Sequence, residues 1–345
     1  MNEIWKIAIV GASSLRGKEL NEALAESPFG KASIALLDEE AEVGRLEASG
    51  DEAALIQPID PDSFEHVDFV FFCGGPELTH RHWQEASGSG ANVLDLSYAL
   101  EGEPGVILLA PWLAEQSAST HAESLTLSTK AVLPAHAVSL ALALIMAQLR
   151  QAGQVRSASA TVLEPASEYG RAAIDELHQQ TVSLLNFQSL PKVVYDEQMA
   201  FNVVPSFGES KTVGQSEARI RRHYDLLRGT QMAALAIQVV HVPVFHGVCL
   251  SIAVEFGEPL STGRLETALA SEHIEVIAED VDPPNNLSSA GQANVLARVR
   301  PQDGLDQPTS RFWIWASFDN LKVSSLNAVA CAMALRRLRP KGKVQ

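Results

Sequence analysis

A chain of 345 residues with 46% hydrophobic content carries enough apolar material for two packed cores. Its 26 Lys and Arg stand against 42 Asp and Glu, a formal net charge of −16. That balance repels phosphate backbones and anionic lipid, so nucleic acid and membrane surfaces are excluded as natural partners.

In chain order, the start carries Glu3 and no basic segment ahead of a long apolar stretch, so no signal peptide is expected. Lys6 to Val10 is a β-branched run that ends in Gly11 and leads into a helical pattern over Leu15 to Ala25. Apolar runs follow at Ala32 to Leu37, ending in Asp38, and at Val67 to Phe72, before Cys73-Gly74-Gly75-Pro76. A helical pattern around Trp83 to Ala86 precedes a fourth run, Ala91 to Leu96. Continuous apolar runs alternating with helices predict parallel strands buried on both faces. Residues 1–130 are therefore expected to form a Rossmann-like α/β domain.

The pattern then changes. Ala137 to Leu149 reads as an apolar helix, and Val155 to Leu163 alternates as a half-exposed strand does. Ala233 to Pro243, Val248 to Phe256 and Arg311 to Phe318 are further strands, the first two expected to run antiparallel, and Pro283-Pro284-Asn285-Asn286 is a loop. An α+β domain with a mixed sheet is predicted for 131–323. Ser324 to Leu338 closes as an apolar helix with a basic end, and 324–345 is expected to pack back on the first domain. The stretch Val138 to Met146 is far short of a membrane span. The three cysteines, Cys73, Cys249 and Cys331, match no zinc or redox spacing and read as buried thiols in a reducing, cytoplasmic compartment.

The turn Gly11-Ala12-Ser13-Ser14-Leu15-Arg16-Gly17 links the first strand to the first helix, where backbone N–H groups and the helix dipole can meet a pyrophosphate. Ser14 takes the middle position usually held by glycine. Its hydroxyl can bond phosphate, while its Cβ crowds the approach. Asp38, 21 residues after Gly17, can bond a ribose 2′-hydroxyl; it reads equally well as a capping or loop acid beside Glu39 and Glu40. With acids clustered there and no arginine adjacent in the sequence, NAD is favoured over NADP.

Several segments together resemble the aspartate-semialdehyde dehydrogenases, and among them the divergent Usg-type paralogues. They are the Gly11–Gly17 turn, Cys73-Gly74-Gly75, Asp95-Leu96-Ser97, Ala200-Phe201-Asn202-Val203-Val204-Pro205, Val242-Pro243-Val244-Phe245-His246-Gly247, Asp319-Asn320-Leu321-Lys322 and Leu326-Asn327-Ala328-Val329. The resemblance runs nearly end to end. It implies the NADP-dependent conversion of aspartyl phosphate to the semialdehyde, part of amino-acid biosynthesis, through a thioester on a cysteine. It also implies a dimer or tetramer joined through the second domain, a homodimer first, and Gly74 and Gly75 near the cofactor.

The residues that the resemblance would assign to chemistry are substituted. Where it places an Asn-Cys pair after Pro134, this chain has Ala135-His136; where it places the acid/base histidine after His246-Gly247, it has Val248. The substrate-orienting glutamine corresponds to Glu164, the carboxylate-clamping arginine to His241, the phosphate-binding arginine to Glu101, and the substrate lysine to Arg219. His136 could serve in principle as base or nucleophile and Glu164 as base, yet an imidazole adduct does not replace a thioester for hydride transfer. His241 and His246 meet a metal only with a third ligand that the sequence does not supply, so no metal is expected. These substitutions lead to a family member silent in the family reaction, a scaffold or regulator that keeps a dinucleotide pocket. The competing readings are an NAD-dependent oxidoreductase for another aldehyde or acyl substrate, and aspartate-semialdehyde dehydrogenase itself.

Overall fold

The computed structural model describes residues 4–49, 52–116, 125–126, 129–205, 214–304 and 307–338. Met1 to Glu3, within the stretch read for a signal peptide, and 339–345 of the predicted terminal segment lie outside the described residues. The chain divides into two compact units: Met1–Ala114 with Ala122–Ala135 and Ser324–Gln345, and Glu115–His121 with His136–Val323.

The strands of the first unit are β1 (Lys6–Val10), β2 (Ser33–Asp38), β3 (Leu46–Ser49), β4 (Glu52–Leu55), β5 (Gln57–Pro58), β6 (Phe69–Phe72), β7 (Asn92–Asp95), β8 (Val106–Leu109) and β9 (Ala131–Pro134). Seven of them form a parallel sheet in the order β5-β2-β1-β6-β7-β9-β8, and β3-β4 is a separate antiparallel pair. The order reverses about β1, as in doubly wound folds. Alternate residues of one strand enter opposite cores. Ile7, Ile9, Phe69 and Phe71 join one cluster with Leu20 and Leu24 of helix α1 (Leu15–Ala25). Ala8, Val10, Val70 and Phe72 join another with Leu78 and Trp83 of α2 (Pro76–Gly88). Burial on both faces is why these strands read as unbroken apolar runs. The short helix α3 (Pro111–Gln116) follows β8.

The second unit contains α4 (Ala137–Ala152), α5 (Arg171–Leu185), α6 (Gly214–Arg228) and α7 (Thr262–Leu269). Its strands are β10 (Val155–Glu164), β11 (Val204–Pro205), β12 (Ala236–His241), β13 (Val248–Leu260), β14 (Ile274–Val276), β15 (Val295–Pro301) and β16 (Thr309–Phe318). They form one mixed sheet, β11-β12-β10-β13-β16-β15-β14. β13 is antiparallel to β10 and β16, while β12 is antiparallel to β11 and parallel to β10, Glu164 opposite His241; β12 and β13 thus run in opposite directions, as expected, without pairing with each other. Alternation reveals which residues share a face and carries no information on which strands become neighbours. Finally, α8 (Asn320–Leu338) starts four residues earlier than its apolar pattern suggested. Its residues Ala328, Val329, Cys331, Ala332 and Leu335 belong to the first unit's α1-side core.

Candidate functional site

In the first unit the Gly11–Gly17 turn is tightly built. Gly11 has φ +81°, and a Cβ there would lie 2.3 Å from the backbone nitrogen of Gly74. A Cβ at Gly17 would lie 2.5 Å from the carbonyl oxygen of Gly11. Both glycines are therefore required by the packing of the turn on its own helix and on the Cys73–Gly75 loop. Gly75, the N-cap of α2, has no atom within 4 Å of where its Cβ would be, so space is open beside it.

Ser14 caps α1: its hydroxyl accepts the Gly17 N–H at 3.0 Å and donates to the Cys73 carbonyl at 3.0 Å. Leu15 is the first residue of that helix. Asp38 is buried, and one carboxylate oxygen accepts the Ser13 N–H while the other accepts the Glu39 N–H, each at 2.8 Å. These two bonds tie the turn to the end of β2. The absence of a nearby arginine holds in the sequence only. Arg81 of α2 pairs with Glu39, so an arginine stands beside the acids at the end of β2.

Beyond β7, buried Asp95 accepts the Ser97 N–H at 2.8 Å, the Ser97 hydroxyl at 2.6 Å and the Leu100 N–H at 2.9 Å. Burial outweighs these bonds and raises its carboxyl above the usual range. Glu101 is half-buried in the turn that follows, its N–H donating to the Tyr98 carbonyl at 3.4 Å. Arg16 donates to the Leu96 carbonyl at 3.3 Å, with its guanidinium 5.7 Å from the Tyr98 ring centroid.

In the second unit a buried polar cluster gathers around the start of α4. His136, 2% exposed, is the N-cap of that helix. Its Nδ1 accepts the Val138 N–H at 3.3 Å, and its Nε2 lies 3.2 Å from Glu168 Oε1. An accepting Nδ1 places the ring proton on Nε2, facing the carboxylate, so both nitrogens are engaged. The His136 backbone N–H donates to His223 Nδ1 at 3.0 Å. Asn320 donates to Glu168 Oε2 at 3.0 Å and accepts from the Ser167 hydroxyl at 3.1 Å.

Glu164, at the end of β10, is fully buried and accepts from Tyr169 at 2.6 Å and Ser216 at 2.5 Å; His241 Nδ1 lies 3.2 Å away. Burial first, and then the Glu164 charge, hold the Tyr169 hydroxyl well above its usual range, so it stays a donor. Val248 is buried in β13 opposite Phe318, Arg219 is half-buried on α6, and His246 is exposed. The structure thus brings Glu164 and His241 together and sets His136 on Glu168, with His241 buried and His246 exposed. Among the described residues no group of three His, Cys, Asp or Glu is arranged to hold a metal. Sequence reasoning missed Tyr169, Ser216, His223 and Arg81, none of which carries a motif of its own.

All three thiols are buried. Desolvation raises Cys73, Cys249 and Cys331 above the ordinary thiol value, Cys73 against the opposing pull of the Arg16 charge. Cys249 donates to the Ser317 hydroxyl at 3.5 Å, and Cys331 to the Leu109 carbonyl at 3.5 Å.

Comparison with known proteins adds the following. Residues 6–121 match the family model for the semialdehyde dehydrogenase NAD binding domain, and residues 146–323 that for the semialdehyde dehydrogenase dimerisation domain. The chain is 30% identical to a USG-1 protein homolog of Azotobacter vinelandii over 97% of this chain and 98% of that one. It is 25% identical to an aspartate-semialdehyde dehydrogenase of Rickettsia conorii, with coverages of 97% and 98%. A solved structure of a probable aspartate-semialdehyde dehydrogenase from Pseudomonas aeruginosa superposes with TM-score 0.82 at 25% identity, covering 97% of this chain and 99% of that chain. Aspartate semialdehyde dehydrogenase II from Vibrio cholerae shares the fold at TM-score 0.82 and 22% identity, covering 99% of this chain and 100% of that chain.

Proposed function

Since the chain belongs to the semialdehyde dehydrogenase family, we propose that it keeps the family's scaffold and dinucleotide domain and is silent in aspartate-semialdehyde dehydrogenation. One observation carries this reading: every thiol in the described chain is buried, and burial holds each in its protonated form. The thiolate is the nucleophile in thioester chemistry, and a helix N-terminus with a cation nearby is what produces one. The N-terminus of α4, where the family resemblance puts that cysteine, holds His136 with its Nδ1 accepting from Val138 and its Nε2 on Glu168. Glu164, His241, Val248, Glu101 and Arg219 stand at the other family positions. Of these, Glu164 and the Nδ1 of His241 face one another, and Val248 has no proton to exchange.

A dinucleotide fits the first unit. The first turn of α1, with Ser13, Ser14 and Leu15 after Gly11 and before Gly17, would hold the pyrophosphate, and the open space at Gly75 would admit the chain of the ligand. When bound, NAD or NADP supplies hydride chemistry. The protein's own contribution is a rigid turn, held by Asp38 and by the Gly11–Gly74 approach. On this reading 1–130 with 324–345 serve the nucleotide, and 131–323 form a homodimer, a role supported by the dimerisation-domain match. No helix among the described residues is long and apolar enough to cross a membrane, and three unpaired thiols suit the cytoplasm.

The test is a steady-state assay for phosphate-dependent NADP reduction with aspartate semialdehyde, run beside titrations of NAD and NADP. Nucleotide binding without turnover is expected. Turnover at the rate of an active relative overturns the proposal.

A further inference from the structure

We propose that Arg81 recognises a 2′-phosphate on the adenosine ribose of a bound dinucleotide, and that Glu39 competes with the ligand for it. The inference rests on the dinucleotide-binding reading above. In a doubly wound sheet the ligand lies outside the carboxyl ends of the strands, with the ribose beside the end of the second. That end is β2, and its last residue, Asp38, is turned inward: it is 6% exposed, and its oxygens accept the Ser13 and Glu39 N–H groups. Glu39, the next residue, keeps its carboxylate exposed at this place, the side chain being 54% exposed. It is paired with the guanidinium of Arg81, 56% exposed, from the first half of α2. Arg81 also donates through Nε to the Glu77 carbonyl at 3.4 Å, which holds its stem along that helix.

These facts make the pair exchangeable. An ion pair between two exposed side chains is weak in water, so little is lost when its partners separate. A ribose phosphate offers more charge than Glu39 and suits the planar fork of an arginine, so it draws Arg81 away. A 2′-hydroxyl offers no negative charge. It can instead donate to Glu39, leaving the pair in place. One pair of residues, 42 positions apart in sequence, thus serves both nucleotides and sets the balance between them. Glu40, next in the chain, opposes any phosphate there and keeps absolute affinity modest.

The experiment is calorimetric titration of the full-length protein with NAD, NADP and 2′-AMP, for the unaltered chain and the Arg81→Gln and Glu39→Gln variants. Arg81→Gln is expected to weaken NADP and 2′-AMP by about tenfold, the loss of one charge-assisted bond, and to leave NAD nearly unchanged. Glu39→Gln is expected to tighten NADP and weaken NAD. Equal losses for both nucleotides in Arg81→Gln, or an unchanged NAD-to-NADP ratio in both variants, overturn the proposal while leaving dinucleotide binding intact. If neither nucleotide binds the unaltered chain, the dinucleotide reading and this proposal fall together. Both side chains are more than half exposed, so an unchanged melting temperature separates a recognition defect from misfolding.

Discussion

The imidazole of His136 lies 3.2 Å from a carboxylate oxygen of Glu168, and the same ring accepts the N–H of Val138. The helix N-terminus is therefore capped from within the second unit by a residue that has no lone pair to spare.

Restoring sulfur at this one position is not expected to restore chemistry. His136→Cys should show no phosphate-dependent NADP reduction, because Val248 offers no acid or base and Glu164 remains committed to Tyr169, Ser216 and His241. The variant should also lose about 1–3 kcal/mol of stability, since Glu168 gives up a buried partner. Substantial turnover from the single change, measured spectrophotometrically, would show that the altered surroundings matter little.

The thiols should be inert in the folded protein. Ellman's reagent at neutral pH is expected to titrate none of the three quickly in the native state and all three after denaturation. The sign of the accompanying pH effect follows from burial. In the unfolded chain the thiols release protons near their ordinary value of 9.0, while the folded protein retains them. Their stabilising contribution is therefore complete below about pH 9 and is lost as pH rises towards the raised folded values. Urea unfolding between neutral and alkaline pH measures it; a native thiol that reacts within seconds contradicts the burial on which the functional reading rests.

Two glycines separate folding from binding. Gly11→Ala should cost at least about 2 kcal/mol, because φ +81° and a backbone nitrogen at 2.3 Å both oppose a Cβ. Gly75→Ala meets no atom within 4 Å and should leave the melting temperature unchanged. A loss of nucleotide affinity in that second variant would place the ligand beside α2.

A further stability test lies in the second unit. Glu176 of α5 is 5% exposed and accepts the N–H groups of Val193 and Val194 on one oxygen and of Tyr195 on the other. Gln180, one turn on, accepts from Met199 and Ala200. Glu176→Ala should lose about 3 kcal/mol by leaving buried donors unpaired. A change below about 0.5 kcal/mol in chemical denaturation, the range of an ordinary surface substitution, would contradict the clamp.

Much of this architecture could be read from the residues. β1 and β6 declared themselves because strands buried on both faces cannot alternate, and α1 began and ended as its pattern indicated. The Glu164–His241 pair was less legible: each was singled out alone, and their meeting depends on the parallel register of β10 and β12, which no local pattern encodes. The same limit hid the contact of His136 with His223, 87 residues away, and that of Arg81 with Glu39. Asp38 was legible as an acid at the end of the second strand, with two roles open to it. Only the position of the Ser13 N–H decides between a carboxylate that faces a ligand and one that faces its own chain.

The last helix has a consequence for how the protein is made. Ala328, Val329, Cys331, Ala332 and Leu335 complete the core on one side of a sheet whose first strand starts at Lys6. During synthesis that side of the sheet lacks the cover of α8 until the chain has been made beyond Leu335, and α1 alone packs there from the start. A nascent chain stalled before Ala328 should consequently expose Ile7, Ile9 and Phe71 and be prone to chaperone capture, whereas one released after Leu338 should not.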